Sequence, residues 1–213
     1  MKRSLRLVLA LTLSAASGVL AMTAAPASAQ TREIRMKFIA YNADLSQYLI
    51  KLEDSAQGAA FQIRETETAK IKKVQAIADK ADEVAKLKVL KKTFKVEAII
   101  DQQDPKGRVS LFGSQEKKGK GFNLMALMGA RVGVVGPIPL TTEENAKKPT
   151  KASVKEVVWS PDGGQVHVIV TQKIPRPDGI EEVDGIHFFK FKIWKVKWLQ
   201  PEPEPPPTEE GGQ

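Results

Sequence analysis

The sequence predicts a mainly β protein: antiparallel strands joined by tight turns, with one inserted amphipathic helix. Three observations carry this. Apolar and polar residues alternate at period two through most of the chain, as where Ile34, Met36 and Phe38 alternate with Arg35 and Lys37. Clusters of Asn, Asp, Gly and Pro punctuate these runs at short intervals. A helical spacing of apolar residues, three and four apart, stands out over residues 79–93.

Taken in order, Ile34 to Phe38 opens a first strand, and Asn42-Ala43-Asp44 supplies turn chemistry before Tyr48, Ile50 and Leu52. Phe61 and Ile63 alternate with Gln62 and Arg64, and Ile71 to Val74 makes a fourth short strand. Together these predict a four-stranded meander over residues 33–75. In the helix, Ala81, Val84, Ala85, Leu87 and Leu90 form the apolar stripe. Asp79, Asp82 and Glu83 lie in its first turns and lysines in its last, as the helix dipole favours. Strands resume at Arg108, with Val109 and Leu111 alternating before a Lys/Gly turn over residues 114–121. Phe122 to Met128 is apolar on both faces and predicts a central strand. Gly129-Ala130 turns it into the run from Arg131 to Ile138, and residues 141–151 form a polar loop. Val154 to Trp159 and the alternating Val166, Val168 and Val170 are two strands closed by Ser160-Pro161-Asp162-Gly163. Residues 173–184, with two Pro and one Gly, are expected to be a loop. In the final run, HFFKFKIWKVKWL, the apolar parity changes between Ile193 and Trp194. A regular strand cannot change faces, so a β-bulge or sharp twist is predicted there.

The two ends differ from this body. Lys2, Arg3 and Arg6 precede an apolar core from Leu7 to Leu13, and Ala27-Ser28-Ala29 is a small-x-small cleavage motif. This is the pattern of a signal peptide cut before Gln30, and the apolar core is too short for a membrane-spanning helix. Removing those 29 residues, three of them basic and none acidic, leaves 184 residues with net charge +5. Residues 200–213 read QPEPEPPPTEEGGQ, with five Pro and four Glu, and predict an extended acidic tail outside the fold. The body between, residues 30–199, carries about +9 and is expected to be a single β-rich domain.

The composition excludes several chemistries. The chain has no Cys, which rules out disulfides, thiolate nucleophiles, Cys-ligated zinc and iron–sulfur clusters. With two His, no cofactor or metal is expected. His167 shares a face with Ile169 and reads as a partly buried core histidine. Ser160, Asp162 and His167 crowd one hairpin and lack the nucleophile elbow of a hydrolase. Glu181, Glu182, Asp184 and His187 read as an exposed charged loop rather than a cation site. Glu65 and Glu67 read as a solvated turn, and Gly129, Gly133 and Gly136 match neither phosphate-binding fingerprint. The feature left is basic: Lys190, Lys192, Lys195 and Lys197 punctuate the last strand between aromatics. In an exported protein such a surface suits anionic lipid or wall polymer rather than nucleic acid. Lysines also protect strands from aggregation, which accounts for them without any ligand.

Val157-Val158-Trp159-Ser160-Pro161-Asp162-Gly163, followed by a Val-rich strand, resembles the Tol-type β-propeller repeat with its W-S-P-D-G turn. Residues 38–46 resemble a degraded copy, in which Tyr41 stands for the Trp, Asn42 for the Ser and Asp44 for the Asp, and Leu45 departs from the Gly. With the signal peptide, the chain is similar to bacterial secreted proteins of unknown function that carry such repeats. The resemblance implies antiparallel four-stranded propeller-like blades, two with room for a third, around the helix. It brings no catalytic residue; Trp159, Ser160, Pro161, Asp162 and Gly163 are expected to be a structural turn.

These readings converge on an exported, periplasmic or extracellular, non-catalytic protein that binds an envelope partner or supports an envelope assembly. The alternative is a peripheral envelope-surface protein that holds anionic lipid or wall polymer on its basic strands; an envelope hydrolase is the remoter one. The first test is export: N-terminal sequencing of the fractionated protein is expected to start at Gln30, and a cytoplasmic chain retaining Met1 would refute the signal peptide.

Overall fold

A computed structural model describes residues 32–116, 121–141, 150–177 and 179–199. The signal segment with Ala27, Ala29 and Gln30, the lysines at 117–120, most of the loop 141–151 and the acidic tail lie outside them.

The fold is mainly β with one α-helix. The first meander comprises β1 (Glu33–Tyr41), β2 (Gln47–Asp54), β3 (Gly58–Glu65) and β4 (Ile71–Ile77), and α1 (Lys80–Leu90) follows it. Then come β5 (Ile99–Ile100), β6 (Ser110–Gln115), β7 (Phe122–Met128) and β8 (Arg131–Ile138). The last block holds β9 (Lys151–Trp159), β10 (Gln165–Arg176), β11 (Gly179–Lys190), a 3-10 turn over Ile193–Lys195 and β12 (Lys197–Trp198). One sheet has eight strands in the order β4-β3-β2-β1-β11-β10-β9-β5, and the other has four in the order β12-β8-β7-β6.

The two outer blocks join through a short parallel seam, where Glu33 and Ile34 of β1 pair with Glu182 and Val183 of β11. Beyond it the two halves fold toward each other. Tyr48 on β2 and His167 on β10 lie three strand spacings apart in the sheet order, about 14 Å if the sheet were flat. Their ring centroids are 4.5 Å apart. Met36, Phe38, Tyr41, Tyr48 and Ile50 of the first half pack with Val158 and Ile169 of the second.

Side chains finish what the seam's backbone ladder leaves undone. Asp184, 1% exposed, accepts the Met36 N–H at 2.9 Å and the Thr171 hydroxyl at 2.7 Å. Lys155 donates to Asp184 at 2.6 Å and to the Met36 carbonyl at 3.2 Å. Lys155 reaches them because it is the extra residue of a β-bulge: Ile169 pairs with Glu156, and Val170 with Val154. A second bulge at Ile39 keeps Phe38 and Tyr41 on one face, where a regular strand would place them on opposite ones.

Two further cores complete the packing. The four-stranded sheet lies on the second half, with Leu111, Phe122 and Leu124 against Val157, Trp159 and Val168. Helix α1 is capped by Asp79, which accepts the Asp82 N–H, but it packs through its last turns only. Leu90 and the partly buried Leu87 meet Leu49, Phe61 and Phe94, whereas Val84 is 62% exposed. The expected stripe is therefore narrower than its sequence spacing suggested.

Two elements differ from expectation. The expected loop 173–184 is instead the tip of a long hairpin, in which β10 and β11 pair from Gln165↔Lys190 to Arg176↔Gly179. The prolines at 175 and 177 mark its end and not a loop. The final run is two strands in different sheets. Instead of a bulge, β11 ends at Lys190, the chain makes the 3-10 turn, and β12 pairs with β8 at Lys197↔Val134 and Trp198↔Gly133. Gly133 permits this, since a Cβ there would lie 2.6 Å from Val196.

Lys155→Ala leaves the buried Asp184 carboxylate without its counter-charge. It is expected to cost about 2–3 kcal/mol, less than a fully buried pair because the lysine side chain is 32% exposed. Urea denaturation checks this: an unchanged midpoint would show that the seam does not depend on the pair.

Candidate functional site

The five residues of the W-S-P-D-G stretch form a structural turn with a near-duplicate 118 positions earlier. In one, the Ser160 N–H donates to the Gln165 carbonyl and Gly163 N–H to that of Ser160. In the other, the Asn42 N–H donates to the Gln47 carbonyl and Leu45 N–H to that of Asn42. Asp162 accepts the Gly164 N–H at 3.0 Å, and Asp44 accepts that of Ser46 at 3.1 Å. Gly163 has φ +71°, and Leu45, in its place, φ +60°. Trp159 and Tyr41, which precede the turns, are both fully buried. Pro161 needs no N–H in this pattern. The Ser160 hydroxyl and Gly164 amide hold the Asp162 carboxyl below the usual carboxylate range.

Ser160, Asp162 and His167, which the sequence reading does not take as a triad, do not all meet in this geometry. Ser160 donates to Asp162 at 2.5 Å within the turn and accepts the Gln165 N–H at 3.0 Å. His167 points instead into the core between the halves, 1% exposed, with Phe38, Tyr48 and Phe188 around it. The Tyr41 hydroxyl and His167 Nδ1 are 2.8 Å apart; with Nδ1 as acceptor, the imidazole is neutral. Burial pushes the His167 pKa down to about 3 and raises that of Tyr41. These groups are packing and hydrogen-bonding elements, and nothing in this geometry makes His167 a base that solvent reaches.

Residues 181–187, which lie in β11, also depart from the reading as an exposed charged loop. Asp184 is buried at the seam, Glu181 pairs with Arg176 at 2.6 Å, and Glu182 pairs with Arg35 at 2.7 Å. His187 is largely buried, which lowers its pKa. The four groups do not converge, and among the described residues no group of three or more His, Asp or Glu is placed to hold a metal ion. Sequence reasoning missed the Asp184–Lys155 pair. A signal was available: Asp184 shares the strand parity of Ile186 and Phe188, so a carboxylate stands at a core-facing position.

Above the His167 core, the mouth between the halves is a shallow polar cleft of about 400 Å³, lined by Asp44, Ser46, Glu65, Thr66, Glu67 and Gln165 among others. Glu65 pairs with Lys72 and with the Thr68 hydroxyl, and Glu67 pairs with Lys190 at 2.5 Å. Lys190 therefore belongs to this cleft rim and to the first sheet. The four lysines that alternate in sequence do not form one strand face.

Lys192, Lys195 and Lys197 remain together on the crossing between the sheets. Phe191 and Val196 are buried in the core, with Ile193 packed against it, and they fix the crossing from beneath. Trp194 projects from the 3-10 turn and is 75% exposed, with the Lys192 ammonium 5.5 Å from its ring centroid. Arg131 lies 5.0 Å from the ring centroid of Trp198. Among the described residues no carboxylate lies within ion-pair distance of Lys192, Lys195, Lys197 or Arg131. Lys51, Lys72, Lys86, Lys155, Lys173 and Lys190 each have one, whereas Lys88, Lys91 and Lys92 at the end of α1, among others, have none; the crossing is set apart by the exposed Trp194 among its lysines.

No protein-family model, curated protein or solved structure matches the chain.

The depressed pKa of His167 fixes the sign of a pH dependence. Between about pH 6.5 and 3 the unfolded chain binds a proton that the native histidine refuses, so stability falls as pH drops through that window. The His167 share at pH 5 is about 2 kcal/mol, 1.4 for each unit below 6.5. Urea titrations at pH 7 and pH 5 are expected to show His167→Gln losing less between the two than the parent protein. Equal losses would mean that His167 is not held neutral.

Proposed function

We propose that this is an exported, non-catalytic β-rich binding protein that acts at an anionic surface of the bacterial cell envelope. The single observation that carries this is the crossing at 192–197: three exposed lysines and an exposed tryptophan on a turn whose neighbours Phe191 and Val196 are buried, with no carboxylate paired to those lysines among the described residues. A lysine near an anionic surface contributes about 1 kcal/mol. Packed neighbours fix the backbone of the crossing, so only the side chains have to order when it binds. The non-catalytic part is supported by the commitment of Ser160, Asp162 and His167 to internal hydrogen bonds. Export rests on the n-region, apolar core and Ala27-Ser28-Ala29 motif of the sequence. The two halves are read as a pair of Tol-type propeller-like blades. The matched hydrogen bonds of the turns at 42–47 and 160–165 support that reading.

Among the described residues no helix is long and apolar enough to cross a membrane. The contact proposed is peripheral, and salt should weaken it. Replacing Lys192, Lys195 and Lys197 together by Ala is expected to weaken binding to soluble polyphosphate, and to vesicles of mixed phosphatidylcholine and phosphatidylglycerol, on the order of a hundredfold at low salt. Lys190→Ala, whose partner is Glu67, should change binding little. Equal effects of the two variants in cosedimentation and titration would refute the assignment of the site.

A further inference from the structure

We infer that Trp194 is an interfacial bilayer anchor: its indole enters the headgroup–acyl boundary of an anionic phospholipid membrane while Lys192, Lys195 and Lys197 contact lipid phosphates. This rests on the anionic-surface reading above and narrows it to one occupant. Charge alone would fit a wall polymer equally well; the apolar groups decide. At 75%, Trp194 is the most exposed of the large apolar side chains among the described residues, on a chain whose other tryptophans are buried or packed on the core. Leu199 is 47% exposed. It shares an outward parity with Lys197, because Val196 and Trp198 pack inward. A soluble polyanion would leave both apolar groups in water. The membrane interface takes up an indole, whose ring prefers the apolar side and whose N–H prefers the wet one.

The local structure suits this role. The 3-10 turn releases Trp194 from either sheet, so the indole stands out instead of lying along a strand. The turn is closed by the Lys195 N–H to the Lys192 carbonyl at 2.8 Å and held down by Phe191, Ile193 and Val196. The anchor is therefore prepositioned, and little order has to be gained on insertion. Lys192, Lys195 and Lys197 are exposed on the same short segment as the indole, and long lysine stems can carry their ammonium groups to a headgroup layer while an apolar ring sits deeper.

The test uses the mature chain, residues 30–213, with vesicles of phosphatidylcholine alone, vesicles of equal parts phosphatidylcholine and phosphatidylglycerol, and soluble polyphosphate. Mixed vesicles are expected to shift the tryptophan emission to the blue, and brominated acyl chains to quench it. Trp194→Ala should abolish both effects and weaken mixed-vesicle binding roughly tenfold. Its polyphosphate binding and urea midpoint should not change, and Trp194→Phe should restore part of the vesicle affinity. Mixed-vesicle binding that is equal in Trp194→Ala, with no bromolipid quenching, would overturn the anchor and leave the anionic-surface reading standing. No binding to mixed vesicles or polyphosphate would overturn both.

Discussion

The Met36 backbone at the parallel seam meets its hydrogen-bonding needs through two side chains, and the relation between the halves of this protein follows from that. Once β1 and β11 diverge after Ile34 and Val183, the Met36 N–H and C=O would be buried without partners. Unpartnered buried peptide groups cost kilocalories each, so a sheet that opens at this point must supply replacements. Asp184 supplies the acceptor and Lys155 the donor, and their charges offset each other. With the ladder closed by side chains, the strands are free to splay. The first half then folds over the second until Tyr48 meets His167.

The core between the halves is a consequence of that fold. Its aromatic residues arrive from strands that are not neighbours, and one polar pair, Tyr41 with His167, is joined among them. Tyr41 reaches His167 because the Ile39 bulge keeps it on the Phe38 face. A neutral imidazole is the form that a dry aromatic box accepts, and burial enforces it. The same geometry removes His167 from Ser160 and Asp162, so a hairpin that looks like a catalytic cluster in sequence becomes a turn resting on a core.

The crossing from β11 to β12 is the other constraint with wide effects. Residues 187–190 belong to the eight-stranded sheet, and 197–198 to the four-stranded one. A chain that serves two packed sheets must leave one and enter the other, and the 3-10 turn is where it does so. Its inward residues, Phe191, Ile193 and Val196, tie the sheets together. Its outward residues, Lys192, Trp194 and Lys195, have no such duty and form the cationic, tryptophan-bearing projection. The proposed binding surface and the structural joint are thus one segment seen from two sides.

The sequence by itself determined the local structure. Period-two alternation set the strands of the first meander, Asp79 and the lysines framed the helix, and the Trp159–Gly163 turn and its copy at 41–45 were visible as motifs because turns depend on neighbouring residues. The change of parity at Ile193–Trp194 announced a break in the last strand, since alternation encodes which face is buried. The tertiary structure decided what that pattern cannot encode. It alone showed that the break moves the chain to another sheet, that residues 173–184 continue a hairpin, and that Lys190 leaves the other lysines to meet Glu67. It alone brought Asp184 to Lys155, 29 positions away. Alternation reports that a residue faces a core, not which distant strand forms the other wall; that depends on how two sheets twist and close over each other.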